Sequence, residues 1–484
     1  MASKGDVEGG AGARAEDVAV AGPAEGPGGL FRGLASPTLR PFVVISVSYL
    51  LFTVTDGALR MIVLLHAYNK GFSAWQVAVM FTLYEVAGVL TNFLAGIAGA
   101  RWGIKSTLLA GLGLQVAGIG MLYAWQDGWS QREAVVFVTF AQMLSGVAKD
   151  LTKLGGKTVT KLVTPEEKQG RLFRLVSFIT GFKNSLKGLG YFLGAAFLVW
   201  SYFAALTFLE ALVLLAVPWA AVALSSDLGR VKKENLTAAA VFRKNPRVNW
   251  LSLARTFLFM SRDMWFEVPL PFFLRDSLAG LGWPRQAVGA FLAGYIILYG
   301  QVQSWSPQLV LRPLGQYPAN KHHAWLWAAL LVPCTAALGG AVQWAPAFRD
   351  RDTGAMSGAL VAVTVVFAVV FAVNSSIHSY LIVKYSEGDK VAMNVGFYYM
   401  ANAAGRLAGT LASGALYSFA GDSARVGFAA CFWAATGASA LASAVVALVP
   451  GDEAGGLYCG GVPLVRDPER ERRRGAGEDE PDHG

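Results

Sequence analysis

Long apolar runs recur along this chain from Pro41 to Pro450, and no other feature constrains its fold as tightly. A bilayer core about 30 Å thick takes about 20 residues of apolar helix to cross. Runs of that size centre on 42–66, 73–98, 106–125, 134–154, 173–199, 203–224, 248–274, 286–310, 324–345, 356–384, 391–417 and 427–449. A large soluble protein can bury one or two such helices, not twelve. Composition agrees: only 15% of residues are charged, against about 25% in soluble domains. The spacing therefore predicts an all-α integral membrane protein with about twelve transmembrane helices. Cys334, Cys431 and Cys459 show no metal-ligand or redox spacing, so no cofactor or metal is expected.

The segments outside the runs set the organisation. Residues 1–40 are rich in Gly, Ala and acidic groups and hold too few large apolar side chains to build a core, so a disordered tail is expected. They also lack the apolar segment of a secretory signal. Residues 41–224 and 248–450 each hold six runs, joined by a basic linker at 225–247, and 451–484 reads as a second disordered tail. An even number of spans puts both termini on one side. That side carries 28 Lys and Arg against 7 on the other, which predicts cytoplasmic termini and most simply a plasma-membrane protein. The net charge of +9 is then largely a topology signal, and nucleic acid is not needed to explain it.

Two six-helix halves with a basic linker resemble the major facilitator superfamily, whose halves are repeats about an axis along the membrane normal. The loop from Gly96 to Lys105 resembles that superfamily's gate motif, with Arg101 as the latch cation and Ala100 where an Asp is usual. In that fold the third, sixth, ninth and twelfth helices lie outside and the other eight line a cavity. Fourteen ionisable residues on the eight are the candidates for that cavity: Asp56, Arg60, Glu85, Lys149, Asp150, Lys153, Lys183, Lys187, Arg255, Arg262, Asp263, Glu267, His378 and Arg406. Only Glu210 falls on the outer four. A charge facing lipid costs at least about 2.5–3.5 kcal/mol, so this division is what the helix order demands.

Eight of those groups are cationic and five anionic. Lys183 and Lys187 share a helix face, as do Lys149 and Lys153. Asp56 and Arg60 are spaced to pair on the first helix, while Arg60 is close enough to its outer end to snorkel. An excess of cations in a low-dielectric cavity is unfavourable unless an anion neutralises it. Guanidinium forks and lysine point charges suit phosphate and carboxylate. The expected ligand is a small, multiply charged oxyanion held by Lys183, Lys187, Arg255, Arg262, Arg406, Lys149 and Lys153. Asp56, Arg60, Glu85, Asp150, Asp263, Glu267 and Arg101 are the expected coupling or gating groups. His378 reads as a satisfied interhelical donor.

Five strings carry a closer resemblance: Thr55 to Met61 with Leu64-Leu65-His66, Leu144 to Leu151, Gln169 to Leu172, Lys183 to Gly194, and Arg262 to Phe266. They resemble the ArsJ-type organoarsenical efflux permeases of the major facilitator superfamily, over roughly residues 41–450. The two tails depart from that family's compact form. The resemblance implies export of 1-arseno-3-phosphoglycerate, made by glyceraldehyde-3-phosphate dehydrogenase when arsenate replaces phosphate, and hence arsenate resistance in functional partnership with that enzyme. A monomer is expected. The residues themselves are equally compatible with a phosphate or organic-phosphate exchanger. A membrane sensor that keeps the fold is the competing class, and it requires the cavity cations to be dispensable. An enzyme is not expected, because the runs hold no nucleophile–base pair, metal cluster or phosphate-cradling loop.

Overall fold

The structure, a computed structural model, describes residues 40–102, 104–162, 169–223, 245–386, 391–451, 457–459 and 462–465. The first half comprises α1 (Arg40–Asn69), α2 (Ala74–Met80), α3 (Thr82–Trp102), α4 (Ile104–Leu122), α5 (Gln131–Leu162), α6 (Gln169–Trp200) and α7 (Tyr202–Ala223). The second comprises α8 (Pro246–Asp263), α9 (Pro269–Arg275), α10 (Arg285–Ser306, prolonged by a π turn at Pro307–Leu311), α11 (Lys321–Ala329) and α12 (Leu331–Trp344). After the short α13 (Pro346–Arg349) come α14 (Thr353–Lys384), α15 (Val391–Phe419) and α16 (Ala424–Ala447). The pairs α2–α3, α8–α9 and α11–α12 are broken rods, so the chain builds six spans in each half.

Among the described residues, nine of these rods are long and apolar enough to cross a membrane. The other three, α6, α8–α9 and α15, carry Lys183, Lys187, Arg255, Arg262, Asp263, Glu267 and Arg406. They are polar because they hold the site. Exposure follows the expected layering: the apolar window of α1 is 83% buried and that of α7 only 33%, with Leu214, Leu215 and Trp219 left on the surface.

Local chemistry sets the breaks. Ser73 caps α2, and Gln76 returns the bond by accepting from the Ser73 N–H at 2.8 Å. Asn245 caps α8 with Pro246 following it, where a missing N–H costs nothing. The α8–α9 rod breaks after Asp263 because Pro269 and Pro271 cannot donate to the ladder. The Leu270 N–H reaches back to the Trp265 carbonyl at 2.8 Å instead. Glu267 thereby sits inside a helix break rather than on a continuous face.

The two halves repeat one packing device. A methyl group on Gly190 would overlap the Val54 carbonyl, and one on Gly405 would overlap the Thr256 carbonyl. Gly194 and Gly409 repeat the contact one turn on, against Ala58 and Met260. So α6 lies on α1 as α15 lies on α8. Arg60 and Arg262 each stand six residues beyond the first contact carbonyl, which makes them equivalent positions of the two repeats. Gly190→Leu should lower stability by about 1–3 kcal/mol through overpacking. Gly113→Leu, which meets nothing within 4 Å, should be neutral. Thermal unfolding of the two variants in detergent compares them directly.

The halves meet along α6–α10 and α3–α15. On the face opposite the chain termini they are shut together. The Tyr68 and Phe272 rings lie 5.0 Å apart, and the Trp75 N–H donates to Ser418 Oγ at 3.1 Å.

One expectation for the tail needs correcting. Within 451–484, β1 (Leu457–Cys459) pairs antiparallel with β2 (Val462–Val465), because Leu-Tyr-Cys and Val-Pro-Leu-Val are strand-forming runs in an otherwise polar tail. Residues 1–39 and 225–244, expected to be tail and linker, lie outside the described residues, as does the Arg101 side chain.

Candidate functional site

A cavity of about 120 Å³ lies between the halves, lined from α1, α3, α5, α6, α8, α10 and α15. Lys149, Lys153, Lys183, Lys187, Arg255, Arg262 and Arg406 all line it, so seven cations distributed over four helices converge on one space. Asp56, Glu85, Asp150 and Glu267 line it as well. Arg60 and Asp263 lie just behind its wall.

The cations divide into two populations. Arg60, Arg262 and Arg406 share Glu85, Asp263 and Glu267 in one closed network. Arg60 bonds Glu85 at 2.7 Å and Glu267 at 2.9 Å. Arg406 bonds Glu85 at 2.8 Å, Asp263 at 3.1 Å and Glu267 at 3.3 Å. Arg262 bonds Asp263 at 2.5 Å and reaches Glu267 at 3.6 Å. The Tyr191 O–H adds a donor to Glu267 at 3.3 Å. Three cations and three carboxylates are thus neutralised in place, as burial requires.

This network corrects two expectations. Arg60 does not snorkel: it is 3% exposed, because two carboxylates converge on it and the Phe81 ring covers it at 4.6 Å. Nor does it pair with Asp56, which instead accepts the Tyr84 O–H at 2.6 Å. A carboxylate from another helix outcompetes the neighbour one turn away.

The network also lies across the boundary between halves, on the side of the cavity away from the termini. Arg60–Glu267 and Arg406–Glu85 cross it. If the halves part there, Arg60 keeps Glu85, while Arg262 and Arg406 keep Asp263 and Glu267. Each half stays neutral, so the lock opens without stranding a buried charge.

The second population is different. Lys183 forms no hydrogen bond or ion pair among the described residues, although it lines the cavity. Lys187 and Lys149 form no ion pair of their own among the described residues and stand over aromatic rings, Tyr191 at 5.5 Å and Tyr84 at 4.0 Å, with Glu267 and Glu85 acting on them only at longer range. Arg255 bonds neutral partners, Asn402 at 3.0 Å and Ser375 at 3.1 Å, and stacks over Phe259 at 4.1 Å. Lys153 does have an acid, Asp150 at 3.6 Å, together with Asn92 at 3.0 Å. With Asp56 as the remaining carboxylate, the cavity keeps an excess of three positive charges. A cation–π contact returns about 0.5–2 kcal/mol, less than the several kcal/mol per ion that burial removes.

Sequence reasoning missed the neutral lining: Tyr49, Thr53, Thr180, Asn184, Tyr299, Tyr399 and Asn402. For Thr180, Asn184 and Asn402 the i,i+3 and i,i+4 spacing from Lys183, Lys187 and Arg406 was the available signal. His378 departs from expectation: it is fully buried, yet neither ring nitrogen has a partner among the described residues.

No family model matches this sequence, and no curated protein matches it. Solved structures do. The human organic anion transporter MFSD10 (TETRAN) superposes with a TM-score of 0.58 at 16% identity, over 83% of this chain and 98% of that one. A point mutant of the nucleoside transporter NupG gives 0.60 at 13% identity, over 85% and 100%. A bacterial homologue of the iron transporter ferroportin, in its outward-facing state, gives 0.59 at 14% identity, over 84% and 98%. Together with the six-plus-six helices and the repeated packing of α1 on α6 and α8 on α15, they show that this chain has the major facilitator fold.

Proposed function

We propose that the chain is a secondary transporter that carries a small, multiply charged organic oxyanion by alternating access. The observation that carries this reading is the group of four cavity cations, Lys149, Lys183, Lys187 and Arg255, for which the described residues offer only Asp56 as an uncommitted carboxylate. An anion with two or more charged ends supplies what the protein leaves out. The cations come from both halves, three from the first and one from the second, so one bound anion holds the halves together around it. The ion network beyond the cavity is the gate that must part on the far side.

The sequence resemblance refines the substrate to an organoarsenical, 1-arseno-3-phosphoglycerate, exported from the cytoplasm across the plasma membrane with both termini inside. An acyl arsenate at one end and a phosphate at the other suit a lysine cluster facing a guanidinium. Glyceraldehyde-3-phosphate dehydrogenase is the partner in function, because it makes the ester.

Expression in an arsenate-sensitive host is the test. Resistance is expected only when the dehydrogenase is co-expressed, and it should vanish with Lys183→Gln. Resistance without the dehydrogenase, or none with it, overturns the arsenical assignment. In proteoliposomes, counterflow of inorganic phosphate or glycerol phosphate would favour the organic-phosphate exchanger instead. Full activity in Lys183→Gln and Arg255→Gln would overturn anion transport through this cavity.

A further inference from the structure

The two walls of the cavity differ in the hydrogen-bonding groups they leave free. On the second half, Arg255 of α8 donates from Nε to Asn402 Oδ1 at 3.0 Å and from Nη1 to Ser375 Oγ at 3.1 Å. Gln303 of α10 donates to the same Ser375 oxygen at 3.3 Å, and Gln303 Oε1 accepts from Asn184 Nδ2 at 2.7 Å. The Tyr299 hydroxyl also lies 3.1 Å from Ser375 Oγ. Ser375 and Gln303 are fully buried, so solvent does not compete for these bonds.

Counting donors and acceptors fixes the direction of each bond. A serine hydroxyl has one hydrogen and two lone pairs. Arg255 and Gln303 take both lone pairs of Ser375, so its hydrogen goes to Tyr299 Oη. Tyr299 thus accepts from Ser375, and its own hydrogen is left for the cavity that it lines. An arginine can only donate, so Arg255 claims the Asn402 oxygen. The Asn402 NH2, also on the cavity wall, has no partner among the described residues. Arg255, Tyr299 and Asn402 therefore turn donors toward the ligand. The first-half wall is mixed. Lys183 and Lys187 donate, while Asp56 has given one oxygen to Tyr84 and keeps the other.

We propose that the cavity sorts the two ends of its anion: the Arg255, Tyr299 and Asn402 wall takes the ionised acyl end, a carboxylate in the simplest case, and the lysine wall takes the phosphate. The proposal rests on the anion reading of the cavity and gives the bound anion a direction. An ionised carboxylate only accepts hydrogen bonds, and the guanidinium fork matches its two oxygens. Each donor on this wall then finds an acceptor. A phosphate monoester has its second pKa near about 6, so near neutral pH it still carries a proton part of the time. A hydroxyl beside it always carries one. Both need an acceptor, and the free oxygen of Asp56 supplies it on the lysine side. A neutral hydroxymethyl or amide in place of the carboxylate forfeits the charge-assisted bonds on the Arg255 wall. Tyr299 and Asn402 are thus specificity residues. Ser375, which does not line the cavity, is a positioning residue that holds Tyr299 as a donor.

Calorimetric titration of the full-length protein in detergent tests this with 3-phosphoglycerate and glycerol 3-phosphate. The two differ in whether the end away from the phosphate is a carboxylate or a hydroxymethyl group, and the wild type should prefer the first. Tyr299→Phe keeps the ring and its packing on Phe371 at 5.5 Å. It should weaken 3-phosphoglycerate by about tenfold or more, the worth of a hydrogen bond to a charged group, and glycerol 3-phosphate by no more than about threefold. Asn402→Asp keeps the acceptor that Arg255 uses and replaces the free donor by an acceptor, so glycerol 3-phosphate should become the tighter ligand. Ser375→Ala should narrow the preference as Tyr299→Phe does; equal weakening of both ligands there overturns its positioning role. No preference in the wild type, equal changes for both ligands in Tyr299→Phe, or an unchanged preference in Asn402→Asp overturns the sorting and leaves the anion cavity standing. No binding of either ligand to the wild type overturns both.

Discussion

Glu267→Gln is expected to cost about 3–5 kcal/mol of stability and to abolish transport, the range observed when one member of a buried ion pair is removed. Glu267 touches Arg60 at 2.9 Å, Arg406 at 3.3 Å and Arg262 at 3.6 Å. An amide at this place leaves three largely buried guanidiniums with two carboxylates. The damage should come from the charge imbalance, not from lost volume, since Gln fills the same space. Adding Arg60→Gln restores the balance, and the double variant should recover most of the lost stability. A thermal-unfolding double-mutant cycle measures both effects. If the double variant is as unstable as the sum of the singles, charge balance is not what holds this region. The recovered protein should still transport poorly, because Arg60 and Glu267 form one of the network's two sets of ion pairs across the halves.

Lys183→Leu should do the opposite to stability. Lys183 has no hydrogen bond or ion pair among the described residues, and an apolar side chain removes a desolvated charge without stranding a partner. Stabilisation of about 1–2 kcal/mol is expected, with loss of anion binding and transport. A functional site that strains the protein has this signature: removing it helps folding and ends activity. Thermal unfolding with and without 3-phosphoglycerate reads both. The wild type should gain stability from the ligand and Lys183→Leu should not. If Lys183→Leu loses stability as Glu267→Gln does, Lys183 serves the packing of the halves and the anion reading fails at its centre.

These two residues look alike in the sequence, each a charge within an apolar run, and only the structure separates them. The runs themselves were legible because lipid enforces them: a span must be apolar over its length, and every departure stands out. The eight-to-five excess of cations was legible for the same reason, and it survives as the three uncompensated charges of the cavity. The pairing was not legible. Asp56 and Arg60 are spaced to pair and do not. Arg60 instead meets Glu85 and Glu267, 25 and 207 residues away. The break that places Glu267 is foreshadowed by Pro269 and Pro271, but where its carboxylate points depends on helices from the other half.

His378 shows the limit from the other side. Sequence statistics favour a satisfied donor for a buried histidine. The structure leaves both nitrogens without a protein partner among the described residues. No local pattern encodes that.

By itself, then, the sequence determined the twelve spans, their division into two halves, and the residues that cannot face lipid. Each of those follows from the penalty for putting polar groups in hydrocarbon, which acts residue by residue along the chain. Tertiary structure alone decided which charges neutralise one another and which are left for a ligand. That choice depends on distances between helices that are remote in sequence, and a few ångströms decide whether a buried cation is locked in a network or waiting for an anion.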